Sequence, residues 1–410
     1  MHLSDPSAPG RRVPARAPGG GRRGHSALVD ARALQPAGLG RYLREILAVL
    51  LHDPRFSRVT LLGSTDELGS FVRDQGPEME VRTHPYPQQF YGAAPQLAWL
   101  RLWLQGATRA DVTFFPHYDT PLLRLPARSV VTVHDLIHFK VPEAFPALRR
   151  AGAGVMLRSA VAAAGRVITV SEHTRKTLLE RLPWAAPKAI TIPNGVSAFF
   201  RDVSGEACPA SVLAVGGAPF LLCVGNRKAH KNLGAAVRVL SLLRPRWPEL
   251  RLVLAGRWYP DGGDASEQAR ALGVEDSIVE LAGVEDEALR WLYSHCEALL
   301  FPSLHEGFGL PVLEAMACGA PVIASDRSSL PEVVGTAGFL FDPHDAAGMA
   351  GAVERLRSEP DLRRRVADRG RERAAGFSWT RTAQRTVDLL DSVARRGEGR
   401  IAPAATLGSE

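Results

Sequence analysis

Residues 298–325 constrain the fold more than any other part of the chain. Ala298-Leu299-Leu300-Phe301 is an apolar run of strand length that stops at Pro302, and Pro321-Val322-Ile323-Ala324 is another. Between them lies His305-Glu306-Gly307-Phe308-Gly309-Leu310-Pro311-Val312-Leu313-Glu314-Ala315-Met316-Ala317-Cys318-Gly319. Pro311 suits a first helical position, where its missing N–H would be an orphan anyway, and Gly319 is placed to end the helix in a left-handed cap. The spacing therefore predicts a helix over 311–318. Strand, loop, helix and strand in that order form one unit of a parallel sheet.

The same kind of junction recurs along the chain. Ser26 to Asp30 precedes Gly38-Leu39-Gly40-Arg41-Tyr42 and an apolar-periodic segment through Leu51, which reads as strand, glycine loop and helix. Further strand-length runs end at Phe115, Val133, Val170 and Ile192, and a second series ends at Val224, Ala255, Leu281 and Phe301. Two such series predict two Rossmann-like, doubly wound α/β domains whose strand-end loops face each other across a cleft. A chain of 410 residues is long enough for both cores. The expected divisions are a disordered basic tail over 1–25, domains over 26–197 and 198–377, a helix over 378–395 and a flexible tail over 396–410.

Net charge is +7 with a pI near 9.5, which permits anionic substrates, nucleic acid or an anionic membrane surface as partners. Part of that excess is local, because Arg11, Arg12, Arg16, Arg22 and Arg23 lie among Pro, Gly and Ala that cannot form a core. The basic residues are not interleaved with a nucleic-acid motif, so no nucleic-acid partner is expected. Neither a secretion signal nor a run long enough to span a bilayer stands out. Cys208, Cys223, Cys296 and Cys318 lack metal or redox spacing, which suits a reducing compartment. A cytoplasmic protein is expected, with peripheral contact at the inner membrane face as a variant. The apolar segment Gln96 to Leu104 raises that variant: it reads as a core-packed helix, or as a stripe with Arg101, Trp99 and Trp103 at a headgroup boundary.

A helix beginning just beyond a parallel strand points unpaired N–H groups and the positive end of its dipole into the crevice at the strand's carboxyl edge. An anion belongs there, a phosphate above all. Gly307 and Gly309 remove side chains where a ligand would approach the backbone. Glu306 could reach sugar hydroxyls or a developing positive charge, and Glu314, one turn in, could accept from ribose hydroxyls. Carboxylates repel phosphate unless they face hydroxyls, so the mixture points to a sugar nucleotide. The plainer alternative is solvated glutamates beside glycines that only turn the chain. Asn226-Arg227-Lys228-Ala229-His230-Lys231-Asn232 is a cationic loop between a strand and a helix, suited to two phosphates or simply solvated. His134, at a strand end, could donate to a sugar hydroxyl or phosphate, or merely pack; His117 and His138 are further candidates. Ser171 can cap the helix that follows it.

Glu306 and Glu314, separated by seven residues around Gly-Phe-Gly-Leu-Pro, resemble the E-x7-E signature of retaining glycosyltransferases of family 4, the glycosyl transferases group 1, which have the GT-B fold. Thr132-x-His134-Asp135-Leu136 and Pro193-Asn194-Gly195-Val196 are similar to that family's amino-domain histidine motif and to its turn before the interdomain linker. The resemblance implies that Lys231 and Arg227, with Lys228 as the substitute for Arg227, clamp the leaving diphosphate, and that Gly38 and Gly40 approach it from across the cleft. It further implies that His134 contacts the donor sugar, that Gly307, Phe308, Gly309 and Leu310 belong to the donor site, and that the base lies near Val284. The closing helix would return to the first domain. No Asp-x-Asp motif stands in a convincing place, so neither metal nor cofactor is expected and the nucleotide-diphosphate sugar is a substrate.

The implied activity moves a hexose, with mannose favoured, from that donor to a glycan or lipid-linked acceptor in polysaccharide biosynthesis. Other readings are a sugar-nucleotide epimerase, an inverting transferase, or a silent sugar-nucleotide-binding or scaffold protein.

Overall fold

The computed structural model describes residues 11–13, 24–34, 38–123, 125–141, 145–257 and 265–395. The first domain contains strands β1 (Arg11–Val13), β2 (His25–Asp30), β3 (Phe56–Gly63), β4 (Glu80–Pro85), β5 (Val112–Phe115), β6 (Ser129–Val133), β7 (Arg166–Thr169) and β8 (Ala189–Thr191). Its helices are α1 (Gly38–Leu50), α2 (Thr65–Gln75), α3 (Ala93–Leu104), α4 (Ile137–Lys140), α5 (Ala147–Ala163) and α6 (Glu172–Arg181). The sheet runs in the order β1-β4-β3-β2-β5-β6-β7-β8 and is parallel except at β1. Its central strands are Val-, Leu- and Phe-rich and buried along their length, as a sheet covered on both faces requires.

The second domain contains β9 (Phe220–Val224), β10 (Arg251–Ala255), β11 (Ile278–Leu281), β12 (Ala298–Phe301), β13 (Val322–Ser325) and β14 (Phe339–Phe341). Its helices are α7 (Leu233–Leu243), α8 (Ala265–Ala271), α9 (Asp286–His295), α10 (Leu310–Ala317), α11 (Leu330–Val334), α12 (Ala346–Ser358) and α13 (Pro360–Ala375), and α14 (Trp379–Arg395) closes the chain. The order β11-β10-β9-β12-β13-β14 reverses direction between β9 and β12, so the crevice at a topological switch point opens beside the loop that follows β12. In the first domain the reversal falls between β2 and β5.

Several elements differ from the sequence reading. Residues 11–13, expected within an unstructured tail, pair antiparallel with β4, whose free edge offers N–H and C=O groups to any extended segment. The rest of that tail, and 396–410, lie outside the described residues. Gly38 and Gly40 form the first turn of α1 rather than a loop, with Gly38 close enough that a Cβ would stand 3.7 Å from Leu310 of the other domain. α10 begins one residue before Pro311, and Gly319 has φ 80° as a left-handed stop requires. On α3, Trp99 packs against Phe115 in the core, whereas Trp103 is half-exposed.

Two strands of chain pass between the domains side by side. Val196 N–H donates to the Phe377 carbonyl at 3.2 Å, and Val196 bridges Ser378. Beyond that crossing, Trp379, Ala383, Val387 and Leu390 of α14 join the first domain's core with α1.

Candidate active site in the interdomain cleft

The two carboxyl edges enclose a cleft of about 1060 Å³. Residues 306–311, Val284 and Glu314 form one wall; Gly38, Arg41, His117, His134 and Asp135 form the other. At Gly307 the walls come close: a Cβ there would lie 2.0 Å from the His134 carbonyl oxygen. The Gly307 carbonyl accepts from Ser171 Oγ at 2.7 Å, while that hydroxyl also caps α6 by accepting from Thr174 N–H at 3.0 Å. Glu332 reaches the same helix start from the second domain, accepting from the N–H groups of Glu172 and His173 at 3.0 and 3.1 Å.

Gly309 takes φ 109°, a left-handed conformation that glycine tolerates, and turns the chain into α10. Ser329 Oγ donates to the Phe308 carbonyl at 2.8 Å, and Glu306 N–H donates to Ser328 Oγ at 2.9 Å. The neighbouring amides are left over. Among the described residues, no acceptor meets the N–H groups of Gly307, Phe308, Gly309 or Leu310. Four consecutive free amides at a helix start make a concavity with the electrostatics of an anion site.

Glu306 Oε1 lies 2.6 Å from Lys231 Nζ, with both side chains largely buried. Burial pushes the Glu306 carboxyl up, but Lys231 overrides it and holds the group below the ordinary carboxylate range. Lys231 does not itself line the cleft; it stands behind Glu306, over the Phe301 ring. Arg227 also lies off the cleft, its guanidinium 2.7 Å from Glu280 on β11. Lys228 and Lys231 both draw down the pKa of Asp135 on the opposite wall, against the larger effect of burial.

His134 Nε2 lies 2.8 Å from the Pro116 carbonyl, which can only accept, so this nitrogen carries the proton and Nδ1 is an acceptor. Burial lowers its pKa to about 4, leaving a neutral ring. Nδ1 of the neutral ring is therefore able to accept a hydrogen bond and unable to donate one. The Tyr42 ring sits edge-on against it at 4.7 Å. His117, also on the cleft wall, accepts at Nδ1 from Asp119 N–H at 2.9 Å. His138 is buried beside the Tyr118 hydroxyl, 3.2 Å from Nδ1. Gly40 is buried in α1 and does not line the cleft.

Two cleft residues, Asp135 and Arg41, were not singled out by sequence. Asp135 faces Glu306, and burial raises its carboxyl pKa. Arg41 crosses to Glu314 and Asp286. Their signals were adjacency alone, Asp135 to His134 and Arg41 to Gly40. Among the described residues no group of three or more His, Cys, Asp or Glu side chains could hold a metal ion.

Residues 36–198 match the model of Glycosyltransferase Family 4, and residues 207–373 match that of Glycosyl transferases group 1. The O-antigen chain mannosyltransferase B of Escherichia coli is 31% identical over 284 residues, which cover 66% of this chain and 73% of that protein. The chain belongs to glycosyltransferase family 4. Within the family it is also 32% identical over 235 residues to the MMP alpha-(1->4)-mannosyltransferase of Mycolicibacterium hassiacum, covering 56% of this chain and 54% of that protein. Against the serotype-specific mannosyltransferase WbdA of Escherichia coli, 29% identity over 296 residues covers 68% of this chain but only 36% of that longer protein. Sucrose-phosphate synthase from Thermosynechococcus elongatus superposes with a TM-score of 0.70 at 20% identity, covering 91% of this chain and 99% of that one. WaaG, a glycosyltransferase involved in lipopolysaccharide biosynthesis, gives 0.67 at 16% identity, covering 89% and 99%. The architecture is GT-B, and the family and its mannosyltransferase relatives make the protein a glycosyltransferase.

Proposed function

We propose that this glycosyltransferase retains anomeric configuration while moving a hexose, mannose in first place, from a nucleotide-diphosphate sugar to a glycan or lipid-linked acceptor. The observation that supports this most is the row of free amides at 307–310, beside the Lys231–Glu306 pair. Charge that grows on a departing diphosphate meets fixed donors and the positive end of α10, in a cleft where water screens little. Lys231 adds a cation behind them. Glu306, held ionised, and His134, as a neutral acceptor, orient the sugar hydroxyls, which fixes the anomeric carbon between the walls. Glu314 accepts from the ribose. In this reading no divalent ion takes part, and the enzyme works in the cytoplasm.

The test is a panel of sugar nucleotides incubated with the protein, with and without glycan acceptors, following release of nucleoside diphosphate. GDP-mannose should be consumed fastest. Binding without turnover across the whole panel would replace this proposal by a silent sugar-nucleotide-binding protein.

A further inference from the structure

Arg32, just beyond β2, is buried together with Asp30 at the end of that strand and Asp119 after β5. Arg32 Nε lies 3.0 Å from both Asp30 carboxylate oxygens, and Nη2 donates to Asp30 Oδ2 at 2.7 Å and to the Asp119 carbonyl at 2.8 Å. Its Nη1 donates to the Gln89 carbonyl at 3.1 Å and to Asp119 Oδ2 at 3.2 Å. All five N–H groups of the guanidinium are thus engaged. The group also lies over the rings of Phe90 and Tyr86 at 4.7 and 5.2 Å. One side chain therefore joins the loops after β2, β4 and β5 at the carboxyl edge of the first sheet.

Two buried acids around one buried base gain little stability, because desolvation offsets their attraction. What the cluster does produce is geometry at residues 91 and 117. Tyr91 N–H donates to Asp119 Oδ2 at 2.9 Å, and Tyr91 stands at φ 55°, a left-handed conformation that strains a bulky residue and concentrates at functional sites. Asp119 N–H donates to His117 Nδ1 at 2.9 Å, so the proton of that ring is on Nε2, 3.4 Å from the Tyr91 hydroxyl. That contact is long, which leaves the donor open to a better placed acceptor. Burial, with His134, Arg32 and His138 nearby, lowers the His117 pKa to about 3 and keeps the ring neutral. The ring is also boxed in, stacked on Tyr118 at 4.6 Å with Phe90 and Tyr91 edge-on at 5.4 and 5.8 Å.

At the cleft wall His117 therefore offers an uncharged N–H beside His134, which offers a lone pair. Uncharged donors suit hydroxyls, whereas phosphates are taken by cations and helix starts, and those lie on the other wall at 307–310 and Lys231. With the donor sugar assigned to His134 and Glu306, the hydroxyl left for His117 belongs to the second substrate. We propose that Arg32, through Asp119, is a positioning residue that aims His117 Nε2–H at a hydroxyl of an uncharged acceptor sugar. The acceptor in this statement rests on the glycosyl-transfer reading.

The full-length protein is assayed with the sugar nucleotide it consumes fastest and, as acceptors, methyl mannobiosides of each linkage and a phosphorylated methyl mannoside. The parent should transfer to at least one mannobioside in preference to the phosphorylated sugar. His117→Phe should raise KM for that mannobioside at least about tenfold and leave KM for the donor within about twofold. His117→Gln, whose amide nitrogen takes the Nε2 place, should bring the acceptor KM back to within about threefold of the parent, and His117→Asn, which reaches only the Nδ1 place, should not. Arg32→Lys keeps the charge without the fork and should raise the acceptor KM at least about fivefold in the parent, yet add nothing to His117→Phe.

Equal rises in donor and acceptor KM, a Gln variant no better than Asn, or an Arg32→Lys effect that adds in full to His117→Phe would each overturn the proposal. The contrast of Gln with Asn decides it alone if His117→Phe or Arg32→Lys does not fold. Preference for the phosphorylated sugar, or donor consumption without transfer to any mannobioside, would overturn the uncharged acceptor and leave the glycosyl-transfer reading in place. Consumption of no sugar nucleotide at all would overturn that reading first, and the proposal with it.

Discussion

The Arg41 guanidinium crosses the cleft to Oε1 of Glu314, joining helices 273 residues apart in the chain. Its second terminal nitrogen lies 2.6 Å from Asp286, and the Tyr293 hydroxyl donates to Glu314 Oε2 at 3.1 Å. Both oxygens of the carboxylate proposed for the ribose are thus engaged. A carboxylate has about four lone-pair sites, so ribose hydroxyls can be added without removing either partner.

This arrangement predicts how nucleotide binding depends on pH. Burial pushes the Glu314 carboxyl up to about 7, with Arg41 and Tyr293 drawing it back. Only the ionised form accepts from two hydroxyls, so affinity for a nucleoside diphosphate should rise with pH through about 7. Arg41→Ala removes the larger restraint, moving that profile to higher pH; a rise of about one unit would weaken binding at pH 7 roughly fivefold, as the ionised fraction falls from about a half to about a tenth. Stability carries the opposite sign. The native state holds more protons between the unfolded and folded pKa values, so this group's contribution falls as pH rises from about 4.5 to about 7. Calorimetric titrations across that range measure the binding profile, and an unmoved profile in Arg41→Ala would take Glu314 out of the nucleotide site.

Lys231→Ala and Glu306→Gln should each lower kcat by roughly 10²–10³-fold, the scale seen when one preorganised charge or donor is removed. Their stabilities should separate them. Lys231→Ala leaves Glu306 largely buried without its cation, so it should melt earlier than Glu306→Gln, which removes the charge itself. Steady-state kinetics with thermal melts check both, and near-parental kcat in either variant contradicts the assigned role.

If the amides and Lys231 carry the leaving charge unaided, a chelator should leave kcat unchanged and added magnesium or manganese should not raise it. A rate that collapses with chelator and returns with one of these ions would require a metal in the reaction.

What sequence could read was local. The stretch from β12 through α10 to β13 was legible because strand runs, Pro311 and Gly319 mark their own positions by backbone preference, and the spacing of Glu306 and Glu314 lies within it. Contacts between the domains were not, since Arg41 with Glu314 or Ser171 with Gly307 depend on how two separately folded sheets face each other. Arg227 shows another limit. In an irregular loop no periodicity says which side chain points where, and here Arg227 turns to Glu280 rather than into the cleft. β1 was missed because pairing at a sheet edge is set by the edge, not by residues 11–13.

The close approach at Gly307 gives a last prediction, separable from a hydrogen-bond effect at the same place. In Gly307→Ala the new methyl would meet the His134 carbonyl oxygen at 2.0 Å and the Asp135 Cβ at 2.9 Å. The first of these is backbone and cannot swing aside, so the two walls must separate. Ser171→Ala removes the 2.7 Å bond to the Gly307 carbonyl and the cap on α6 without adding bulk. Ser171→Ala should therefore cost about 1 kcal/mol of stability and little kcat. Gly307→Ala should cost a similar 1–3 kcal/mol, the usual scale of overpacking, but lower kcat/KM by roughly 10²-fold, because a displacement near 1 Å spoils the alignment of reacting groups. Melting curves and kinetics on the pair distinguish the two effects: equal losses of kcat/KM would mean that the hydrogen bond, not the contact of the two walls, positions the site.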